Sequence, residues 1–600
     1  MTTSRWKTLT AIFVFALVAW MYVRRLGDTP LYMTPDEAII AVDAHALAMT
    51  GRDVHGEALP LYFRIQMPGE TRFGWFMPVI FYASALVMRV LPFSEATVRV
   101  PSVFVGMISI VLTFLVARRL FSEDGLVTDG YVVHGLAILA AVLLATTPAH
   151  FMLSRYALDY LYPLPFVLGW FLLLLRFLQR HDVRVLMAAT VCLGVGFYSY
   201  ISSVLMMPIY FALTLLVVLQ RDRPGYLSLA ATAGFAAPLV PLVPFLLHHP
   251  GAFAQTAQRY AVYDAQRLNA LQGLREFFSY PNIERLTTLY WTFFNPGFLF
   301  FSGDSQMPFS TRSVGVFLLP MAVLIPAGAY EVVRRRTTGG LLVLALFVTA
   351  PAAAVLVPES GAIIRAAAML PFGALLATYG VICVWKSGVF TRARPLLMAG
   401  GGALLATSLV YAGVTVSSSA RLSKGTALLA AGAIVLLAVG YAAQRIKLGQ
   451  IAVVCLLLFV PLQFASFWHD YFGDYRVRSS IWLGGNVRGA LEALIAHAAQ
   501  DRVPAIYFAR IRSTSGLLDT RNRWMHAYWR FYLIKHQRED LLSRSNDIDT
   551  TDVRGMAPGS LVLANEGDQV AAGLVSSSQL YIIEAVPEID GKPFFLILRR

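Results

Sequence analysis

RVPSVFVGMISIVLTFLVARRLF, residues 99–121, decides the fold. From Val100 to Ala117 it carries no charge, and the pair Arg118-Arg119 closes it. As a helix rising about 1.5 Å per residue, such a block covers roughly 27 Å. That matches a hydrocarbon core about 30 Å thick, so the natural solvent of this stretch is lipid.

Blocks of the same texture recur outward from it. They fall near 9–23, 74–91, 100–117, 132–148, 158–178, 185–200, 203–220, 227–247, 313–331, 340–357, 362–385, 395–415, 425–443 and 449–467. The whole chain has 600 residues, 57% apolar and only 14% charged. A soluble globular protein carries about a quarter charged residues. The chain therefore reads as a polytopic α-helical membrane protein. The net charge of +14 reflects arginines in cytoplasmic loops and near anionic headgroups, not nucleic-acid binding. Cys192, Cys383 and Cys455 all lie inside apolar blocks and suggest neither a disulfide framework nor a metal site. Arg5 and Lys7 precede the first block and Arg24-Arg25 follow it, with no small-x-small cleavage site; this reads as a retained signal anchor.

Charge orders the blocks. Basic clusters stand at Arg118-Arg119, Arg176/Arg180/Arg184, Arg221/Arg223, Arg334-Arg335-Arg336, Lys386/Arg392/Arg394 and Arg445/Lys447. Placing them all in the cytoplasm with the N-terminus requires one early block not to cross. Block 74–91, flanked by Arg72 and Arg89 and containing Pro78, is assigned to a juxtamembrane or re-entrant element. This predicts thirteen spans within 1–470, long external loops at 24–98 and 248–312, and an external C-terminal domain at 471–600. A fourteen-span arrangement with that domain inside is the alternative.

The tail reads as mixed α/β. PAIYFA at 504–509, SLVLA at 560–564, LYIIEA at 580–585 and FFLIL at 594–598 are expected strands; 486–499 and 524–542 are expected helices. It shows no nucleophile elbow, phosphate loop or zinc spacing.

Long loops beside a bundle are where binding and chemistry concentrate. The first external loop opens with Thr34-Pro35-Asp36-Glu37-Ala38, a helix start with its acids at the positive end of the dipole. Asp43, His45, Asp53, His55, Glu57 and Glu70 follow. Ionisable groups pressed against a membrane face are costly unless they work or stay wet. Arg155 and Asp159 stand four apart, as in a pair tying down a helix end. The topology puts Asp36 and Asp159 on one side, able to converge on one cavity. Arg365, after Pro358-Glu359-Ser360-Gly361, is either an interfacial arginine snorkelling to headgroups or a clamp on a lipid phosphate. Phe298-Leu299-Phe300-Phe301-Ser302-Gly303-Asp304 is either an aromatic belt or a loop dipping beside a lipid tail.

Taken in order, PDEA at 35–38, GRDVHGEALPLYF at 51–63, RVPSVFVGMISIVLTFLVARRLF at 99–121, SRYALDYLYP at 154–163, FLFFSGD at 298–304 and IIRAAAMLP at 363–371 resemble the glycosyltransferase C superfamily. The resemblance is to bacterial relatives of protein O-mannosyltransferases and of the lipid A aminoarabinose transferase, over about residues 1–470. It implies that Asp36 is the catalytic base, that Asp159 supports it, and that about a dozen spans start from a cytoplasmic N-terminus. Relatives often carry Tyr-Glu/Lys-Lys-Pro-Pro before the second apolar block, whose acid and lysine meet the donor phosphate or a metal. Here that stretch is Arg72-Phe73-Gly74-Trp75-Phe76-Met77-Pro78. A divalent metal is thus an open question, and Arg72 or Arg64 is the expected phosphate ligand, beside Arg155 and Arg365. Glu37 joins the catalytic set, orienting the loop or an arginine, since on a helix it points about 100° from Asp36.

The implied activity is inverting transfer of a sugar from a polyprenyl-phosphate carrier to an extracytoplasmic acceptor, in the inner or plasma membrane. The rival reading, a secondary transporter or lipid flippase, calls for repeated halves and mid-membrane polar residues. The charges here gather at helix ends and in external loops.

Overall fold

The computed structural model describes residues 3–65, 74–123, 129–259, 270–357, 359–386, parts of 398–437, 448–500, 503–512, 521–577 and 579–600. Arg72 and Glu70 lie outside the described residues, as does most of the pair of apolar blocks at 395–415 and 425–443.

As far as Phe472 the described residues are mainly helical. In chain order come α1 (Thr3–Val23), α2 (Pro35–Thr50), α3 (Pro78–Met88), α4 (Glu95–Glu123), α5 (Gly130–Ala145), α6 (Pro148–Leu153), α7 (Pro163–Arg180), α8 (Val183–Gly196), α9 (Ser203–Val218), α10 (Pro224–Ala236) and α11 (Leu242–His248). Then follow α12 (Ala252–Arg259), α13 (Ala270–Phe277), α14 (Tyr280–Thr292), α15 (Met321–Arg335), α16 (Thr338–Thr349), α17 (Met369–Lys386) and α18 (Leu448–Phe472). A two-stranded hairpin, β1 (Phe63–Ile65) with β2 (Gly74–Phe76), lies between α2 and α3.

Among the described residues, five helices are long and apolar enough to cross a membrane, or six if the pair 224–239 and 242–248, bent by 45°, counts as one span. The count differs from thirteen because several apolar blocks are built as shorter helices: α5, α8 and α9 have 16, 14 and 16 residues. The 11 residues of α3 reach only about 16 Å, half the core thickness. Lipid-facing surface is plain on α1, where Phe13, Leu17 and Trp20 are exposed, and on α18, where Val454, Leu458 and Leu462 are. Exposed apolar stripes of this extent need a non-aqueous neighbour.

The tail adds α19 (Asp474–Ser480), α20 (Val487–Gln500), β3 (Ile506–Ala509), α21 (Arg521–His536), β4 (Ser545–Ile548), β5 (Leu561–Asn565), α22 (Gln569–Ser576), β6 (Tyr581–Pro587) and β7 (Pro593–Arg599). Its five strands form one mixed sheet in the order β4-β3-β5-β7-β6. β3 is parallel to β4 and β5, while β7 is antiparallel to β5 and β6. One apolar layer packs α20 and α21 on the sheet and continues into Met33, Ala38, Ala41 and Val42 at the start of α2. The tail is therefore docked on the face of the bundle that carries the segment 24–98. Lys535 Nζ fastens the contact, donating to Glu95 Oε1 at 2.8 Å and Glu492 Oε1 at 2.7 Å.

Candidate active site

The chemistry starts from the N-terminus of α2. Thr34 is its N-cap: the hydroxyl accepts from Glu37 N at 3.2 Å, and Glu37 Oε2 accepts from Thr34 N at 2.8 Å. This reciprocal capping box satisfies two amides that a helix start otherwise leaves unpaired. With Pro35 at the first position, the backbone carrying Asp36 is closely defined. Asp36 itself is half-buried.

Glu37 is fully buried and meets Arg99 Nε at 3.0 Å. Its Oε1 also accepts from Ala157 N at 2.9 Å. Arg99 gives its other donors to the carbonyls of Leu26, Pro30 and Tyr32, at 2.9–3.0 Å. The Glu37 carboxylate thus clamps α2 to α4 and to the strip that leads to Asp159. The sequence reading placed Glu37 in the catalytic set; here every direction of its carboxylate is taken up by protein donors, and it positions its neighbours. Its expected role in orienting an arginine has a definite partner in Arg99. Arg99 has the same signature as Arg365, a cation at the edge of an apolar span that needs an anion, but its partner lies 62 residues away.

Asp159 opens a 3₁₀ turn, Asp159–Leu161, and is 7% exposed. Asp36 lies within electrostatic reach of it. Arg155 does not pair with Asp159, because α6 ends at Leu153 and the two are not on one helical face. It is wholly buried. Its guanidinium donates to the carbonyls of Tyr22, Arg24 and Thr29 at 2.6–2.8 Å, and to that of Arg25 at 3.3 Å. These are the last carbonyls of α1 and the turn after it, at the negative end of its dipole. Rings of Phe151, Tyr471 and Phe472 surround the cation. The terminal nitrogens of Arg155, expected on a phosphate, close the end of α1 instead, while its buried Nε has no hydrogen-bond partner among the described residues.

Arg365 does face the acids. It sits on a second 3₁₀ turn, Ile363–Arg365, packed against Asp159–Leu161. Asp36, Asp159 and Arg365 all lie within electrostatic reach of the Tyr160 hydroxyl. Glu359 pairs with one end of the guanidinium, and the buried Nε has no partner among the described residues. The turn is held by Asp304, whose Oδ2 accepts from Ile363 N and whose Oδ1 accepts from Gln306 N, both at 2.8 Å. Burial pushes the Asp304 carboxyl up to about 6, against those two hydrogen bonds and the nearby arginines. Gly303, at φ +67°, makes the bend that brings 298–304 to this turn, a conformation open to glycine.

Arg365 also lines a cleft of about 200 Å³ with Tyr62, Trp75, Phe245, Leu356 and Ser202. Trp75 Nε1 donates to Gln255 Oε1 at 2.8 Å, fixing the ring in the wall. Arg64 is exposed on β1, where its carbonyl meets His55 Nε2 at 3.0 Å. Among the described residues no group of three His, Cys, Asp or Glu is placed to hold a metal ion. The site thus combines two carboxylates, one half-paired arginine and an apolar cleft.

The family model for dolichyl-phosphate-mannose-protein mannosyltransferase matches residues 77–248. The crystal structure of ArnT from Cupriavidus metallidurans bound to undecaprenyl phosphate is similar to this fold with a TM-score of 0.51. The identity is 14%, over 99% of this chain and 98% of that one. Between residues 77 and 248 the chain is thus similar to that mannosyltransferase family, and over nearly its whole length it is similar in fold to ArnT. Apo ArnT from the same organism gives a TM-score of 0.51 at 14% identity, covering 98% of each chain. The Archaeoglobus fulgidus oligosaccharyltransferase in its apo form gives 0.41 at 13% identity, over 89% of this chain and 64% of that one. A comparison with curated proteins finds no match. At these identities the likeness to ArnT is one of fold, and it takes in the C-terminal layer. The matched family segment runs from Met77 to His248 and contains Asp159. Asp36 and Arg365, at either side of that segment, join Asp159 only in the folded chain.

Proposed function

We propose that this protein is an inverting glycosyltransferase that takes a sugar from a polyprenyl-phosphate carrier. Asp36, Asp159 and Arg365 share electrostatic reach of the Tyr160 hydroxyl, and Arg365 also lines an apolar cleft; this grouping carries the reading. A polyprenyl phosphate has the matching shape, a long apolar tail with one anionic head. Its tail follows the cleft, and its phosphate meets the free side of Arg365, with Arg64 or Arg72 as further cations.

In the reaction Asp36 accepts the proton of an acceptor hydroxyl or amine. The freed electron pair forms the new bond at the anomeric carbon. The carbon–oxygen bond to the carrier breaks, and its electrons leave with the phosphate, whose charge Arg365 stabilises. A single displacement inverts the anomeric configuration. Asp159 positions Asp36 or the acceptor. In this reading the chain crosses the membrane thirteen times, and the segment 24–98 and the tail face the extracytoplasmic side.

The test is purified protein incubated with a panel of polyprenyl-phosphate sugars, with released polyprenyl phosphate as the readout. Losing a general base costs about 10²–10⁴-fold. Asp36→Asn is expected to lose at least two decades of turnover while still binding donor, and Asp159→Asn to lose less. Near-normal turnover of Asp36→Asn would refute the assignment and move the base to Asp43.

A further inference from the structure

The peptide unit joining Met33 to Thr34 is held at both ends. Its carbonyl, on Met33, accepts the Tyr528 hydroxyl at 2.9 Å. Its N–H, on Thr34, donates to Glu37 Oε2 at 2.8 Å. A peptide is a rigid plane, so two bonds at opposite edges fix its rotation and hence the direction in which α2 sets off. Pro35 follows, its φ locked by the ring, and Asp36 comes next. Little slack remains between the pinned plane and the Asp36 Cα.

Tyr528 belongs to α21 of the C-terminal layer, nearly five hundred residues along the chain from Met33. Both residues are buried, Tyr528 at 5% and Met33 at 2% exposure, so water does not replace this bond. The Tyr528 hydroxyl lies within electrostatic reach of Asp36 and Glu37. The preceding residue is held by the same layer, since the Tyr32 hydroxyl donates to Glu588 between β6 and β7. Further along α21, Phe531 meets Phe93 at a ring-centre distance of 4.8 Å, and Phe93 meets His45 of α2 at 5.0 Å. A layer that merely covered the bundle would need apolar contacts alone. This one aims a buried hydroxyl at the carbonyl three residues before Asp36.

We infer that the C-terminal layer is a working part of the site, and that Tyr528 is a positioning residue which sets the orientation of Asp36 through the Met33–Thr34 peptide. The inference rests on Asp36 being the base. Tyr528→Phe removes the one hydroxyl and frees the plane to rotate, and small misplacements of a reacting group cost up to about 10²-fold in rate.

The experiment uses the full chain. kcat, donor affinity and thermal midpoint are measured for Tyr528→Phe and for Tyr532→Phe, a buried tyrosine on the same helix. Tyr528→Phe is expected to lower kcat by about 10- to 100-fold with donor affinity within twofold, while Tyr532→Phe keeps the parent kcat. In an Asp36→Asn background Tyr528→Phe should add no further loss, because its effect passes through that carboxylate. The inference is overturned if Tyr528→Phe turns over like Tyr532→Phe. It is also overturned if kcat and donor affinity fall together, or if the loss multiplies in full onto Asp36→Asn. Failure of Asp36 itself as base is read separately, from near-normal turnover of the Asp36→Asn single variant.

Discussion

Replacing Glu37 by glutamine keeps the shape of the side chain and removes its charge. In the native chain that carboxylate faces Arg99 Nε at 3.0 Å, Ala157 N at 2.9 Å and Thr34 N at 2.8 Å. All are donors. An amide offers one acceptor oxygen, and its NH₂ end must then point at a donor wherever it is placed. If the oxygen keeps the Arg99 and Ala157 contacts, the NH₂ opposes Thr34 N and the capping box opens. Arg99, 1% exposed, keeps three carbonyls but loses its counter-charge. Breaking a buried ion pair from one side costs about 3–5 kcal/mol. Glu37→Gln should therefore lower the thermal midpoint by on the order of 2–4 °C, read from tryptophan fluorescence in detergent. Arg99→Gln should cost a similar amount. The double variant should cost less than the sum, with a coupling of about 2 kcal/mol. A Glu37→Gln protein melting within about one degree of the parent, or strictly additive variants, would show that this carboxylate does not hold α2, α4 and the 157–159 strip together.

Asp43 supplies a pH test. Burial pushes its carboxyl up to about 6, against a hydrogen bond from Val54 N, so the folded chain holds this proton more tightly than the unfolded one. Its contribution to stability is present at low pH and is lost as pH rises from about 4 to about 6, by on the order of 3 kcal/mol; Asp43→Asn should flatten that part of a midpoint-against-pH curve, and an unchanged slope would count against it. Arg365→Ala should weaken donor binding by at least about tenfold, with lysine recovering little because a guanidinium fits a phosphate through two parallel donors; equal donor affinity in all three proteins would leave the arginine as a headgroup contact. In a chain with Cys192, Cys383 and Cys455 replaced, a cysteine at the exposed Ser543 should react with an impermeant thiol reagent in intact cells. Labelling only after lysis would reverse the orientation.

Much of this was legible before folding was considered. The apolar blocks name the solvent of the chain because burial in lipid depends on composition over about twenty residues. The helix start at Pro35 is a local matter of cap and first-turn residues, and so was readable. Four expected strands of the tail appear as β3, β5, β6 and β7. β4, Ser545–Ile548, was not expected; its sequence SNDI is mostly polar, and it is a strand because it pairs in parallel with β3. The arginines divide for the same reason. Nothing local distinguishes Arg155, whose terminal nitrogens are taken by carbonyls about 130 residues earlier in the chain, from Arg365, which lines the cleft. A sequence fixes which groups are costly to bury, through charge and the spacing of apolar residues. The partner that offsets each cost lies at long range, so the tertiary structure alone decided that Glu37 and Arg155 are held by protein groups while Asp36, Asp159 and Arg365 come within electrostatic reach of one tyrosine.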